Sequence, residues 1–199
     1  MHIVCCDLEG VWVPEVWINV SKKTGIEELK LTTRDIRDYD ELMRYRLKIL
    51  DKNNLKLKDI QEVISTIRPL EGALEMINWI KSVTRLVVVS DTFTEFADPL
   101  IRQLDYPLLF CHSLEVNEDN RIIGYKLRQK DPKRQVIKAL KSLNYTVIAF
   151  GDSYNDISML QEADKAFLYK PPQNVINDFP DFPIATNYSE MRKLLEQMF

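Results

Sequence analysis

Runs of consecutive apolar residues punctuate the chain: IVCC at 3–6, LVVVS at 86–90, VIAFG at 147–151 and AFLY at 166–169, with LLFCH at 108–112 as a shorter fifth. They are nearly continuous rather than alternating, as expected of strands buried on both faces. Helical patterns lie between them. GALEMINWIKSV (72–83) sets Leu74, Ile77, Ile80 and Lys81 at helical spacing. DPKRQVIKALKSL (131–143) opens with an Asp cap and a Pro at the first helical position, and YNDISMLQEA (154–163) is a third helix. Strands alternating with helices predict an α/β fold, a parallel sheet covered by helices.

Two segments break the alternation. From Pro14 to Pro69 the pattern holds no strand; EVWINVSKKTG, YDELMRYRLKILDKNN and LKDIQEVISTI all read as helices. An insertion of that length is too long for an ordinary connection and predicts a small helical lobe over the end of the sheet. In 113–129, apolar residues alternate on either side of Asn117–Asn120, which predicts a short β-hairpin.

Composition narrows the function. The 199 residues are 45% hydrophobic and 29% charged, with a net charge of -3, so one soluble domain with a small second lobe is expected. No block of like charge points to nucleic acid or to a membrane surface. The acidic total still allows an anionic substrate, because a focused local field outweighs a weak global one. No stretch approaches the roughly 18 apolar residues of a membrane span, and the N-terminal run is too short for a signal peptide. Three cysteines argue against a disulfide framework. Cys5 and Cys6 are expected on opposite faces of one strand as small buried hydrophobes, with Cys111 in the same role. A cytoplasmic protein is expected. His2 and His112 lack metal-type spacing, and neither is assigned a role.

In an open parallel sheet, ligands bind at the carboxyl ends of the strands. The first strand is followed by Asp7-Leu8-Glu9-Gly10, the second by Ser90-Asp91-Thr92, and the third by Gly151-Asp152-Ser153-Tyr154-Asn155-Asp156. Each has a plain structural alternative. Strand-end carboxylates are usually solvated, Ser90, Asp91 or Thr92 could cap the next helix, and Asp152 and Asp156 could serve a helix dipole. Lys133 is harder to place that way: a cation in a first helical turn is disfavoured, and it shares the inward face of Val136 and Ile137. Lys130 and Arg134 nearby leave its assignment open. Together these groups suit phosphoryl transfer. Asp7 and Asp152 offer oxygen ligands to Mg²⁺, while Ser90 and Lys133 can hold phosphoryl oxygens as charge shifts.

DLEGV, VVVSDTF, DPKRQ and GDSYNDISM resemble the four motifs of the haloacid dehalogenase superfamily of aspartate-nucleophile phosphatases, over residues 3 to 160. RPLEGALEMINWIK running into LVVVSDTF is similar to the phosphoserine phosphatase branch. DLEG, with Glu9 where the wider family has Asp, resembles the bifunctional phosphoserine phosphatase/homoserine phosphotransferase group. The resemblance implies a Rossmann-like core from 1–13 and 70–199, and a helical cap from 14–69. It implies that Asp7 forms an aspartyl-phosphate and that Glu9 is the general acid and base. Mg²⁺ would be held by Asp7, Asp152 and the backbone carbonyl of Glu9. Ser90, Lys133 and the main chain at Asp91 would bind the phosphoryl group, and Asn155 the phosphate or substrate. Asp156 would orient Lys133 or the metal shell. Glu15 would take the substrate amine and Arg46 its carboxylate, although Arg44, Arg46 and Lys48 also read as a solvated basic face. Trp12, Met43 and Phe93 are either site lining or core. The implied partners are phosphoserine and a homoserine acceptor, within serine biosynthesis, and a homodimer is admitted. A phosphatase of a nucleotide or sugar phosphate is the alternative, and a non-catalytic phosphate-binding protein on the same fold is a distant one.

Overall fold

The computed structural model describes residues 1–33, 35–36 and 38–199. Arg34 and Arg37, inside the expected helical lobe, lie outside the described residues. The apolar runs form β1 (His2–Cys6), β2 (Arg85–Phe93), β3 (Leu108–Val116), β5 (Thr146–Gly151) and β6 (Lys165–Tyr169), joined by β4 (Ile122–Lys126) and β7 (Ile184–Ala185). The sheet order is β4-β3-β2-β1-β5-β6-β7, parallel throughout except for β4 on β3. From β1 the chain builds outward on one side through β2, then returns to add β5 on the other. The carboxyl end of β1 is therefore the point where strand order reverses, the usual place for a ligand.

Side-chain alternation along β1 divides the core. Ile3 and Cys5 pack with Val87, Ile137 and Ala149, whereas Val4 and Cys6 pack with Trp12, Val88 and Phe150. The two adjacent cysteines thus face opposite sides of the sheet, and all three cysteines are buried and free.

Between β1 and β2 lie α1 (Val16–Thr24), α2 (Tyr39–Lys52), α3 (Leu57–Thr66) and α4 (Ala73–Val83). No strand occurs among the described residues of 14–69. Trp17, Ile60 and Val63 share an apolar cluster with Phe96 and Ala97 of α5 (Thr94–Gln103), so this helical segment packs on the sheet's own covering helix. The remaining helices are α6 (Pro132–Ser142), α7 (Ile157–Glu162), α8 (Gln173–Asp178) and α9 (Tyr188–Met198). No helix among the described residues is long and apolar enough to cross a membrane.

Three expectations need correction. The buried stripe of α4 is Ala73, Met76, Ile77 and Ile80; Leu74 is 38% exposed. Leu74 stands one residue, about 100°, round the helix from Ala73, and the stripe that closes against β2 runs i, i+3, i+4, i+7. Asp131 precedes α6 but does not cap it with its side chain, which accepts instead from the Ser158 hydroxyl at 2.7 Å. Finally, 108–112 and the first arm of the hairpin are one strand of nine residues. Its first half pairs parallel with β2 and its second half antiparallel with β4.

The α4 correction gives a direct check by urea unfolding. Ile77→Ala should destabilise by about 3 kcal/mol, as buried large-to-small changes do. Leu74→Ala should lie within about 0.5 kcal/mol of the parent, as surface changes do.

Candidate active site

Asp7 is the first residue beyond β1. Its N–H donates to the Phe150 carbonyl at 3.2 Å, so the β1–β5 ladder fixes the backbone that carries it. The side chain is buried: Oδ1 accepts from the Leu8 N–H at 2.7 Å, and Oδ2 lies 3.0 Å from Lys133 Nζ. Lys133 enters from the first turn of α6, where the helix dipole opposes a cation. Three carboxylates overcome that. Its Nζ is 2.7 Å from Asp156 Oδ1, 3.0 Å from Asp7 and 3.7 Å from Asp91 Oδ2.

Asp156 is fully buried and clamped. Its Oδ2 accepts from the N–H groups of Asp152 at 2.9 Å and Ser153 at 3.1 Å, so it caps the turn after β5 and holds Lys133 at once. That closeness excludes a side chain at residue 151: a Cβ on Gly151 would stand 2.3 Å from Asp156 Cγ. Gly10 is constrained twice. Its φ is +75°, and a Cβ there would meet Asp152 Oδ2 at 2.7 Å.

Ser90, Asp91 and Thr92 reach the site through an irregularity. Val89 pairs with Phe110 and Phe93 with His112, so three residues of β2 oppose one of β3. Such bulges re-aim side chains beside sites. None of the three caps α5, whose N-cap is Phe93.

The charges are unbalanced. Asp7, Asp91, Asp152 and Asp156 converge with one ammonium among the described residues. Burial, then Asp156, Asp152 and Asp91, push the Asp7 pKa well above the usual carboxylate range against the pull of Lys133. Burial alone would lower Lys133, but Asp156, Asp7 and Asp91 hold it well above its ordinary value. Burial would raise Asp91, yet Lys133 and the hydrogen bonds from His112 and Asn155 bring it down to about 2. Oxygens of Asp7, Asp152 and Asp156 lie within 4.8 Å of one another, a hard all-oxygen set that fits a divalent cation such as Mg²⁺. Both Asp156 oxygens serve Lys133 and the backbone, and the two Asp7 oxygens likewise meet Lys133 and the Leu8 N–H.

Glu9 is half-buried, and its Oε2 accepts from the Val16 N–H at 2.8 Å. Burial and the neighbouring Glu15 push its pKa up to about 7. Arg46 is buried, while Arg44 and Lys48 are exposed, so the basic-face reading holds for those two and fails for Arg46. The Arg46 guanidinium lies over the Trp17 ring at 4.7 Å, Nη2 donates to the Leu31 carbonyl at 2.9 Å, and Nε has no partner among the described residues.

One cavity is lined by Asp7, Glu9, Glu15, Arg46, Ser90, Asp91, Asp152 and Asn155. Phe93 lines it too; Trp12 and Met43 are core instead, Trp12 donating to Cys6 Sγ at 3.0 Å and Met43 Sδ accepting from Arg46 at 3.7 Å. Lys133 lines a neighbouring cavity that shares Asp91 and Asn155 with this one, and Asp156 is fully buried beside it. Two groups escaped the sequence reading. The Tyr39 hydroxyl donates to the Asp91 carbonyl at 2.7 Å, and buried His112 lies 3.2 Å from Asp91 Oδ1. Both contacts depend on pairings distant in sequence, and only the placement of His112 on an apolar run hinted at its burial.

A family model described as haloacid dehalogenase-like hydrolase matches residues 12–164. The chain is 56% identical over 193 residues to phosphoserine phosphatase ThrH of Pseudomonas aeruginosa, covering 97% of this chain and 94% of that one. It is also 56% identical to a phosphoserine phosphatase of Pseudomonas syringae pv. tomato, over 97% of this chain and 81% of the relative. Among solved structures, a phosphoserine phosphatase in apo form is similar with a TM-score of 0.79 at 20% identity, over 98% of each chain. A phospho-aspartyl intermediate analogue of phosphoserine phosphatase gives 0.76 at 20% identity, again over 98% of each chain. These structural likenesses establish the fold.

Lys133→Met removes the ammonium from among Asp7, Asp91 and Asp156. In EDTA at pH 8 the variant should lose about 3–5 kcal/mol, as for a broken buried ion pair. Without the pull of Lys133 the Asp7 pKa, already raised, moves further above its unfolded value, so the folded state takes up more protons as pH falls. The deficit should therefore shrink between pH 8 and pH 5 in urea titrations; a deficit constant with pH would contradict the charge account.

Proposed function

The chain belongs to the haloacid dehalogenase-like hydrolases, and on that premise we propose that it is a Mg²⁺-dependent phosphoserine phosphatase that also passes the phosphoryl group to homoserine. The observation that carries this reading is that Asp7, Glu9, Glu15 and Arg46 line a single cavity. A buried nucleophile, an acid, an anionic group and a guanidinium together match the phosphate, leaving oxygen, ammonium and carboxylate of phosphoserine. The 56% identity to two proteins named phosphoserine phosphatase supports the same substrate.

In the proposed reaction an Asp7 carboxylate oxygen attacks phosphorus and the bond to the serine oxygen breaks. Glu9 gives its proton to that oxygen, and a pKa of about 7 leaves it able to do so at neutral pH and to take a proton back afterwards. Water or an alcohol then attacks the aspartyl-phosphate, loses a proton to Glu9, and regenerates the Asp7 carboxylate. Ser90, Lys133 and Asn155 hold phosphoryl oxygens as charge moves, and Asp156 keeps Lys133 in place. Asp7, Asp152 and the Glu9 carbonyl would hold Mg²⁺, which when bound supplies positive charge between the carboxylates and the dianionic ester. The Arg46 fork receives the substrate carboxylate with its Nε–H, which has no partner among the described residues, and Glu15 receives the ammonium. We assign residues 14–69 as the cap that closes over the core formed by 1–13 and 70–199 and excludes water.

Glu9 reaches about 1.5 Å farther than an aspartate would. Proton transfer depends sharply on placement, so the second step is slower to water and an alcohol has time to compete.

With phosphoserine and Mg²⁺ the protein should release phosphate, and adding homoserine should yield phosphohomoserine. EDTA should stop both, and Asp7→Asn should lower both by about 1,000-fold or more. Full turnover by Asp7→Asn, or a preference for nucleotide or sugar phosphates over phosphoserine, would overturn the proposal. Separately, Glu9→Asp should lower the ratio of phosphohomoserine to free phosphate; an unchanged ratio would remove Glu9 as the cause of transfer.

A further inference from the structure

Asp91 is a carboxylate set in the bulge that faces the proposed phosphoryl site, where a negative group works against anion binding. Its surroundings account for it. Oδ2 accepts from the Asn155 amide at 2.7 Å and lies 3.7 Å from Lys133 Nζ. Oδ1 lies 3.2 Å from His112 Nε2. The other ring nitrogen of His112, Nδ1, accepts from the Arg128 backbone N–H at 3.3 Å. A backbone N–H can only donate, so Nδ1 carries the lone pair and the ring proton sits on Nε2, directed at Asp91. The Tyr39 and Phe93 rings pack on the imidazole with centroids 6.1 Å and 6.4 Å away. The His112 side chain is 2% exposed, so this arrangement is built into the fold.

We infer that His112 is a positioning residue: through Asp91 it fixes the Asn155 amide and helps place Lys133, so that both meet the phosphoryl group in one geometry. The inference rests on the phosphoryl chemistry proposed above. Each Asp91 oxygen has a separate task. With Oδ1 held by His112, the carboxylate plane cannot turn, and Oδ2 stays on Asn155. Without the imidazole, Oδ1 loses its partner and the carboxylate is free to rotate. Asn155 then loses its anchor. The bulge accompanies this contact: Phe93 pairs with His112, and Asp91 lies among the looped-out residues before it, with Oδ1 at His112 Nε2.

The test combines a conservative variant with a double-mutant cycle, read as KM for phosphoserine and as the inhibition constant of inorganic phosphate, both with Mg²⁺. His112→Leu should raise both by about 10-fold or more, given how steeply binding geometry governs such sites. His112→Gln, whose amide can donate from near the Nε2 position, should return both to within about 3-fold of the parent. In an Asp91→Asn background His112→Leu should add less than about 2-fold, because the two residues act as one unit. Equal loss in the Leu and Gln variants, or a full His112→Leu effect in the Asp91→Asn background, would overturn the inference. Should His112→Leu fail to fold, His112→Asn, whose amide stops short of Asp91, takes its place in the cycle. If the parent does not hydrolyse phosphoserine, the functional proposal fails, while calorimetric binding of inorganic phosphate to the same variants still decides the role of His112. Absence of phosphate binding to the parent would overturn both.

Discussion

Buried negative charge in excess of its compensation governs the local structure around β1. Asp7, Asp91, Asp152 and Asp156 are drawn together at the strand ends, and Lys133 touches three of them. Desolvated carboxylates are costly unless paired or hydrogen-bonded. The neighbouring sequence answers that cost one group at a time. Asp156 takes two backbone N–H groups and the ammonium. Asp91 takes an imidazole and an amide. Glycines at 10 and 151 let the chain pass where side chains would collide with Asp152 and Asp156. Asp7, with the Leu8 N–H and Lys133 as partners, still keeps a raised pKa. The proposed chemistry places the divalent cation and the nucleophile at that point.

The helical segment between β1 and β2 adds a second layer with a different character. Arg46 is buried over Trp17, while its helix neighbours Arg44 and Lys48 face solvent. A guanidinium sequestered in this way is expensive, and burial lowers its pKa to about 10. Its charge is offset by Glu9 and Glu15 around the same cavity. Selection among phosphate esters, in the proposed function, falls to this layer, because the strand-end carboxylates recognise only the phosphoryl end common to all of them.

Much of the core was legible because its signals are local. Continuous apolar runs gave the buried strands, and Lys133, spaced three and four residues before Val136 and Ile137, pointed inward with them. Other features depend on which neighbour an element meets. The stripe on α4 differed at two of four positions, with Ala73 and Met76 buried in place of Leu74 and Lys81, because overlapping sets of positions fit a helix and packing chose between them. β3 read as two pieces because one strand passes from a parallel to an antiparallel partner, which alternation does not record. β7, at two residues, is too short to carry a period. His112 and Asp91 are 21 residues apart, and they meet only through the strand register and its bulge. In the basic run of α2 only the family resemblance pointed to Arg46; helical spacing did not set it apart from Arg44 and Lys48, and its burial over Trp17 with a hydrogen bond to the Leu31 carbonyl does.

In the proposed function, the surplus negative charge at the end of β1 takes up one divalent cation shared by Asp7 and Asp152. Crystals grown with Mn²⁺, which takes the same oxygen ligands, and measured at its absorption edge would test it most directly. The account predicts a single anomalous peak in the cleft, with a carboxylate oxygen from each of those two residues bound to it. A cleft without a peak, or an ion held by neither aspartate, would contradict it.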